Sequence, residues 1–583
     1  MRKKPKTGQY NGNNLDKKLV SNLAKSRIPS FKQLKYINKY LNNIELIILY
    51  VAIIIFAIGI VFVGAKFYNQ NLEVQPETGG KYIEGMVGSP KYINPLYSSL
   101  NDVDADISSL IYSSLFKRDI HGYLTPDLVT DYKVSPDQKS YTIAIRDDVK
   151  WHNGEDLTVD DVVFTINSFK NIQYKSPLRY IFNGVDADKI NDNTIQFILK
   201  EPYAPFMEFL TFGIMPQSLW QDVSPDNMTL AELNLKPVGS GPYKFKVFEK
   251  DKNGNIKDYT LEANKDYYEQ APYLKEIVFK FFVSQEEMLA VLNNNKIDAV
   301  SYMPLAYQED IIAPNSFNFH QLSWPWITGL FFSGKQSYNL DARKALAYAI
   351  NKTELVQEAL NSQAQVIDSP ILSNSFAYSN EISKYSYNPA KAKELLTKLG
   401  YKLTDDKKWM AKNKKIFTID ITVADDDLNM TIAAKLAEYW EAVGIKTVIK
   451  SVPSRDLQAM AQSGNFVAML YGYKDLINPD PYSFWHSSQR ESMNIADYSN
   501  NKVDSLLEAA RINNNLEARK ANYAEFQKII TKELPIIFLY SSNYTYIQNK
   551  RIKGFDTDGI NNPSDRFSNI TNWYTKENKK FNP

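Results

Sequence analysis

The sequence predicts an α/β architecture behind one N-terminal membrane-spanning helix. The chain has 583 residues, of which 44% are hydrophobic and 23% charged, a composition that suits two or three globular domains. Residues 46–65 carry no charge. In the second half of the chain, strand-like and helix-like segments alternate, which is typical of a largely parallel sheet covered by helices.

The uncharged run 46–65 is long enough to cross a bilayer, since twenty helical residues span roughly 30 Å. Residues 1–43 contain eleven Lys or Arg and one acid, Asp16, which predicts a cytoplasmic arm. We therefore expect an uncleaved, single-pass anchor in the cell membrane: arm 1–43, helix 44–66, linker 67–80, and an extracellular or periplasmic remainder. The alternatives are a signal peptide cleaved near Val63-Gly64-Ala65 and a buried core helix.

Local patterns predict the elements that follow the linker. Residues 140–146 and 194–199 alternate as half-buried strands, as do residues near 277–281. Thr158 and Asp161 resemble a capping box that opens a helix. In the second half we expect helices at 341–360, 388–400, 429–443, 502–513 and 516–532, and strands at 416–424, 445–452 and 535–540. Asn388, Pro389 and Gly400 mark the start and end of the second of these helices.

The composition excludes several classes of chemistry. The chain has no cysteine, which excludes disulfides, a cysteine nucleophile and a lipid attached to cysteine. Its four histidines are far apart in the sequence, and it contains no Gly-rich phosphate loop. The net charge of +2 argues against a dedicated nucleic-acid binder. We therefore predict no catalytic residue, no metal and no cofactor. The element GSGPY at 239–243 is interpreted as a tight turn.

An anchored cell-wall transpeptidase is the enzymatic alternative. Ser114 and Lys117 match the Ser-x-x-Lys pattern and Ser499 begins a Ser-x-Asn match. The only Lys-Thr-Gly is at 6–8, on the predicted cytoplasmic arm, where it cannot line an extracellular site. We interpret these matches as chance.

Seven segments in order resemble the family 5 extracellular solute-binding proteins of ABC transporters, the oligopeptide, dipeptide and nickel-binding type. The segments are YINPLYSSLNDVDADISSLIYSSLFKRDIHGYLTPDLV (92–129), SYTIAIRDDVKWHNGEDLTVDDVVFTINSF (140–169), VGSGPYKF (238–245), KIDAV (296–300), LDARKALAYAINK (340–352), NPAKAKELLTKLGY (388–401) and NPDPYSFW (478–485). The resemblance covers roughly residues 82–575.

This resemblance implies a bilobed, periplasmic-binding-protein-like fold. Lobe I would comprise 81–325, with an inserted subdomain at about 115–210, and lobe II would comprise 326–540. Residues 541–583 would return to lobe I. Crossovers are expected near 322–330 and 535–544. The implied function is a non-enzymatic receptor that closes on a short peptide and delivers it to the permease and ATPase subunits of an ABC importer.

A peptide site of this kind needs a partner for the ligand amine. Family members use an Asp just upstream of the segment that matches 478–485, and here Asp475 is the nearest match and Asp480 the competitor. A solvated loop acid is the alternative role for Asp475, and turn-making between two prolines for Asp480. Four aromatic residues are further candidates for lining the cleft: Tyr473, Trp485, Trp324 and Trp326.

Three other functions remain open on the sequence alone. The same fold can hold a different solute: a nickel chelate, a sugar or glutathione. The chain can be an anchored extracellular hydrolase or cell-wall enzyme. It can also be an adhesion or scaffold domain without a ligand.

Overall fold

A computed structural model describes residue 35 and residues 41–335 and 338–581. Most of the predicted arm 1–43 lies outside the described residues. The chain divides into two compact units, Met1–Gln75 with Glu577–Pro583, and Pro76–Lys576. Each unit is described by itself below.

The elements are numbered in chain order. The α-helices are α1 (Asn43–Gln70), α2 (Asp102–Ile111), α3 (Val159–Lys170), α4 (Arg179–Phe182), α5 (Gln217–Trp220), α6 (Gln285–Asn293), α7 (Leu305–Gln308), α8 (Leu340–Ala349), α9 (Lys352–Ala359), α10 (Pro389–Lys398), α11 (Asp427–Ala442), α12 (Ser454–Ser463), α13 (Tyr482–Trp485), α14 (Asn501–Arg511) and α15 (Leu516–Glu533). The 3-10 segments are Ser98–Leu100, Ile172–Tyr174, Ala204–Phe209, Pro225–Leu230, Glu232–Asn234, Pro314–Ser316, Ser487–Gln489, Pro563–Phe567 and Ile570–Asn572.

The strands are β1 (Leu72–Glu77), β2 (Lys81–Val87), β3 (Phe116–Arg118), β4 (Leu124–Pro126), β5 (Val129–Val134), β6 (Ser140–Ile145), β7 (Val185–Asn191), β8 (Thr194–Leu199), β9 (Tyr243–Lys250), β10 (Ile256–Ala263), β11 (Glu276–Phe282), β12 (Ala299–Val300), β13 (Phe317–Phe332), β14 (Ala364–Val366), β15 (Lys402–Leu403), β16 (Trp409–Met410), β17 (Thr418–Ala424), β18 (Lys446–Val452), β19 (Ala468–Lys474), β20 (Ile536–Asn549) and β21 (Lys576–Phe581).

The first unit consists of one long apolar helix and a two-stranded sheet. Helix α1 is 28 residues long, buries none of its side chains, and is apolar enough to cross a membrane. The Asn42 side chain caps its start together with Glu45. Strand β1, which follows α1, pairs with β21 near the C-terminal end of the described chain. The predicted linker 67–80 therefore holds the end of α1 and a strand, because its polar side chains do not prevent backbone pairing.

The second unit is built on one mixed sheet of eleven strands. Its order is β18-β17-β19-β13-β20-β12-β2-β11-β10-β9, with β14 also paired to β20. Strands β18, β17 and β19 are parallel, but β13 pairs antiparallel with both β19 and β20. The expectation of a largely parallel sheet in the second half of the chain therefore holds for β17–β19 and is wrong for β13 and β20, which enter and leave this region in opposite directions. Further along the sheet, β2 is parallel to both β11 and β12.

Strands β13 and β20 are the two longest strands and carry the chain between the two halves of this unit. They pair from Phe317 with Asn549 to Phe331 with Ile536. The register shifts between Ser323 and Ile327, which leaves Trp324, Pro325 and Trp326 out of the regular ladder. The predicted crossovers, 322–330 and 535–544, fall within these two strands. We refer to residues 81–325 with 541–576 as lobe I, and to 326–540 as lobe II.

Separate hydrophobic cores lie on the two sides of the crossover. One core of lobe I packs around β2, β10 and β11, and another takes residues from 96–228 around the four-stranded sheet β5-β6-β8-β7. Lobe II has two cores, one containing residues of α8–α11 and the other residues of α14 and α15. The mixture of strands and helices in each lobe confirms the predicted α/β class.

Local sequence signals account for most helix boundaries, with one exception. The Thr158–Asp161 capping box starts α3, and Asn388 caps α10 by accepting from the Lys391 N–H. The predicted single helix 341–360 is wrong. It is two helices, α8 and α9, because Ile350 is extended and the Asn351 side chain accepts from the Glu354 N–H to start a new helix.

Two glycine-rich motifs of lobe I meet through His152. The Gly239 N–H donates to Nδ1 of His152 at 3.2 Å, and Nε2 donates to the Gly241 carbonyl at 3.1 Å. Burial lowers the pKa of His152 to about 4, so the ring is neutral at pH 7. A Cβ on Gly239 would lie 1.9 Å from the Ile111 carbonyl oxygen, so this position requires glycine. The segment 239–243, expected to be a tight turn, therefore packs closely against Ile111 and is held in place by hydrogen bonds to the His152 ring.

We expect His152→Ala to lower the free energy of unfolding by about 1–3 kcal/mol, since it leaves the buried Gly239 N–H without its partner and removes one of the two side-chain donors of the Gly241 carbonyl. His121→Ala is the matched control, because the ring of His121 is exposed and pairs only with Asp558 at 2.8 Å. That control should change stability by less than about 1 kcal/mol. Denaturant unfolding of the full chain in detergent measures both, and equal effects would contradict the role of His152.

Candidate functional site

The end of strand β19 places Asp475 directly beside the crossover. Strand β13 pairs with β19 so that Trp326 lies opposite Lys474 and Ile327 opposite Tyr473. One residue further, the Asp475 N–H donates to the Pro325 carbonyl at 3.0 Å. This bond continues the β13–β19 ladder by one residue pair, although residues 324–326 have left the ladder with β20. The pairing with β13 therefore fixes where the Asp475 side chain begins.

The Asp475 carboxylate is buried without a cationic partner among the described residues. Asp475 is only 8% exposed, and its Oδ1 accepts from the backbone N–H groups of Leu476 at 2.8 Å and Asp480 at 3.3 Å. Burial, with a smaller contribution from the nearby charge of Asp480, raises the pKa of Asp475 to about 7. An acid held in this way gains most from a ligand that brings a positive charge.

A small space lies against Asp475. It is about 10 Å³ in volume, enough for one water-sized group, and an ammonium group is of that size. Its wall includes Pro325, Ile371, Asn374 and Leu476. The expectation of a solvated loop acid at this position is wrong, because the end of β19 is covered by the segment 370–375.

Asp480 is already neutralised within the protein. Its Oδ2 accepts from Nε of Arg511 at 3.1 Å and from the Tyr203 hydroxyl at 3.0 Å. The Arg511 guanidinium also lies over the rings of Tyr203 and Tyr482, at 5.0 and 4.2 Å from their centroids. Of the two candidate anchors, Asp480 has its cation in place and Asp475 does not.

The four predicted aromatic residues divide into core residues and crossover residues. Trp485 is fully buried among Phe331, Phe526 and Phe538, so it is a core residue and does not line a cavity. Tyr473 is 4% exposed and packs on Phe484. Trp324 and Trp326 stack on each other, with ring centroids 5.2 Å apart, beside the bulge of β13. Gly472 leaves the space that the indole of Trp326 fills.

A cavity of about 590 Å³ lies next to this region. Most of its wall comes from lobe I, including Asp102, Arg118 and Glu208, and lobe II contributes Lys474 and Leu476. A volume of this size is typical of ligand pockets. Leu476 lines both this cavity and the small space beside Asp475, so the two are neighbours.

Polar contacts join the lobes around the cavity. Glu208 accepts from the Asn478 side chain at 2.8 Å, and the Tyr123 hydroxyl donates to the Asn374 carbonyl at 3.0 Å. Together with the Tyr203–Asp480 bond, they hold the lobes in contact. Sequence reasoning missed Tyr203, Glu208, Arg511 and Lys474. Most of their partners lie far away in the sequence, up to 277 residues for Tyr203 and Asp480, so no local pattern predicts these contacts. Only Lys474 could have been found from the sequence, because it directly precedes Asp475.

The enzymatic alternative gains no support from the geometry. The Ser114 hydroxyl donates to the Phe116 carbonyl at 2.7 Å, and Nζ of Lys117 pairs with Glu269 at 2.7 Å instead of with Ser114. Among the described residues, no group of three or more His, Asp or Glu is arranged to hold a metal. None of the four histidines, all of which are described, lines the 590 Å³ cavity.

We expect Asp475→Asn to stabilise the empty protein at pH 8 by up to a few kcal/mol. The folded pKa of about 7 lies above the unfolded value of 3.8, so the folded state holds the proton more tightly. Wild type therefore matches the Asn variant below about pH 4 and becomes less stable than it as the pH rises toward 7. Denaturant unfolding of the full chain at pH 5 and pH 8 measures this difference.

The control for this prediction is Asp480→Asn, which weakens the pair with Arg511 and should lower stability at both pH values. If Asp475→Asn is instead destabilising at pH 8, the carboxylate has a partner and the assignment of an uncompensated charge is wrong.

Comparison with known proteins assigns the chain to a family. Residues 124–494 match the family model described as "Bacterial extracellular solute-binding proteins, family 5 Middle". The oligopeptide-binding protein AppA of Bacillus subtilis (strain 168) is 27% identical over 531 residues, which cover 88% of this chain and 95% of AppA.

Solved structures give the same result. NikZ from Campylobacter jejuni, in complex with Ni(L-His), is 27% identical with a TM-score of 0.68, covering 85% of this chain and 99% of NikZ. Bacillus subtilis AppA in complex with a nonapeptide is 26% identical with a TM-score of 0.64, covering 86% of this chain and 99% of AppA. The predicted bilobed fold and the resemblance drawn from the seven sequence segments are confirmed. The chain belongs to the family 5 bacterial extracellular solute-binding proteins.

Proposed function

We propose that this protein is the membrane-anchored receptor of an ABC importer and that it binds short peptides between its lobes. The observation that carries the proposal is the 590 Å³ cavity, whose wall combines lobe I with Lys474 and Leu476 of lobe II. The peptide complex of its relative AppA supports peptides as the ligand class. Ligand binding in a cleft between two lobes is the usual mechanism by which such receptors close.

Asp475 is the proposed anchor for the peptide amine. Its buried carboxylate has no cation among the described residues, and the space beside it accommodates one ammonium group. Leu476 lines both this space and the main cavity, so a shift of its side chain would let the amine reach Asp475. Lys474 lines the main cavity without an ion-pair partner among the described residues, and it supplies positive charge for the peptide carboxylate.

Helix α1 is the proposed tether. It is long and apolar, none of its side chains is buried against the rest of the described chain, and the chain has no cysteine that could carry a lipid in its place. The basic residues of segment 1–43 put that segment in the cytoplasm and the receptor outside. Such a tether raises the concentration of the receptor near the permease and ATPase subunits, which lie in or on the same membrane.

A nickel chelate is the second candidate, favoured by the similarity to NikZ. No histidine of this chain lines the cavity, so such a ligand would be held there without an imidazole from the protein. We therefore place peptides first.

Asp475→Asn should lower the affinity for trialanine with a free amine by roughly ten- to a hundredfold, because it removes a charge-assisted hydrogen bond in a dry site. N-acetylated trialanine should bind wild type and variant equally. Isothermal titration calorimetry of the full chain in detergent gives both affinities.

The matched variant for this test is Asp480→Asn, which should change the affinities for free and acetylated trialanine by the same factor and so keep the preference for the free amine. If Asp480→Asn is the variant that loses this preference, the anchor is five residues further along the chain. If neither variant loses it, the amine is not bound by either residue.

The anchor predicts a simple topology result. A reporter fused after Pro583 should be active outside the cell, and externally added protease should spare only the arm and the helix. Mature protein that begins near Lys66 would show that the helix is cleaved and that the tether does not exist.

A further inference from the structure

The wall of the 590 Å³ cavity is strongly acidic. Six carboxylates line it, against three basic side chains, which leaves a net charge of −3 if all are ionised. The acids are Asp102, Asp106, Asp127, Glu208, Glu269 and Asp565, and the bases are Lys117, Arg118 and Lys474. Residues 44–583 carry a net charge of −8, because the arm 1–43 contains eleven of the 68 basic residues and only one of the 66 acidic residues of the chain. The cavity wall is therefore acidic like the part of the chain that contains it.

Two of the three basic side chains of the wall are already paired with carboxylates. Lys117 pairs with Glu269 at 2.7 Å and with Asp127 at 3.4 Å, and Arg118 pairs with Glu208 at 2.5 Å. Nζ of Lys474 donates to the neutral Asn562 side chain at 2.5 Å, which leaves its positive charge in place. Because one Lys117 charge serves two carboxylates, the acidic excess lies at that group and at Asp102, Asp106 and Asp565, and Lys474 offsets one charge of it.

Asp106 adds to this excess although it has an arginine. Arg566 bonds to both oxygens of Asp106, at 2.9 and 2.5 Å, and also to Glu84 at 3.0 Å. All three residues are at most 1% exposed. One guanidinium therefore serves two buried carboxylates, and the cluster contributes negative charge behind the cavity wall.

Asp102 is the least constrained of the acids. It lies in the first turn of α2, is exposed to the cavity, and makes no hydrogen bond or ion pair among the described residues. An unpaired carboxylate that faces a cavity is a group that a ligand with a cationic hydrogen-bond donor would satisfy.

From this charge distribution we infer that the receptor selects peptides that carry cationic side chains over neutral and acidic ones. The inference rests on the proposed function and names the ligand class of the same cavity. A cleft lined by one sign of charge concentrates the field within it, so a Lys or Arg side chain is attracted there and an acidic side chain is repelled. Asp102 is the residue free to pair with that side chain.

The test uses three tripeptides with the same backbone and ends: Ala-Lys-Ala, Ala-Gln-Ala and Ala-Glu-Ala. Calorimetry with the full chain in detergent should give affinities in that order, with Ala-Lys-Ala about tenfold tighter than Ala-Glu-Ala at low salt. Added salt should narrow the difference, because it screens the field.

Asp102→Asn should reduce the Lys-to-Glu affinity ratio by about threefold, the effect of losing one partly exposed charge pair. Asp427→Asn is the matched control: Asp427 also lies in the first turn of a helix, α11, and does not line the cavity. It should leave the ratio unchanged. Thermal unfolding checks that both variants are folded.

Equal affinities for the three tripeptides, or tighter binding of Ala-Glu-Ala, would overturn the charge selectivity and leave peptide binding intact. An unchanged ratio in Asp102→Asn would overturn the role of that residue. If none of the three tripeptides binds, the proposed function fails for short peptides and the inference fails with it.

Discussion

The antiparallel pairing of β13 with β20 is the constraint on which the rest of this structure depends. These two strands run through both lobes, so every rearrangement of one lobe against the other must act on their shared ladder. The ladder is interrupted only where Trp324, Pro325 and Trp326 bulge out, and at the small shift beside Gly329. Within this interruption, the Pro325 carbonyl still accepts from the Asp475 N–H as the continuation of the β13–β19 ladder. The proposed ligand anchor therefore lies directly beside the irregularity of the crossover.

In our account, the unpaired charge of Asp475 is what makes this part of the structure a binding site for a cation. Burying a carboxylate without a cation costs free energy, which appears here as a pKa of about 7. The neighbouring Asp480 avoids that cost through Arg511 and Tyr203. A protein that neutralises one acid of a loop and leaves the next one unpaired retains a site for an external cation. The acidic wall of the main cavity extends the same preference to the remainder of the ligand.

Local chemistry made part of this structure predictable. The uncharged run that became α1, the Thr158–Asp161 box and the Asn388 cap are each decided by residues a few positions apart. The sequence predicts one helix where the structure has α8 and α9, because an asparagine such as Asn351 can occupy either a helix interior or a capping position. The sequence predicts Trp485 as a candidate for lining the cleft, but this residue lies in the core. The sequence does not distinguish the two positions, because an aromatic residue near a binding motif is common in both. The partners of Asp480 (Arg511 and Tyr203) and of Asp106 (Arg566) come from distant segments, so no local sequence pattern predicts these pairs.

The most direct test of the central claim is the number of protons exchanged when a peptide binds. Calorimetry of the full chain with trialanine at pH 6.5, repeated in buffers of different ionisation enthalpy, measures that number. If an ammonium group lowers the pKa of Asp475 from about 7, wild type should release roughly half to one proton per peptide, and Asp475→Asn should release none. Equal proton release by the two proteins, or proton uptake by wild type, would contradict the account.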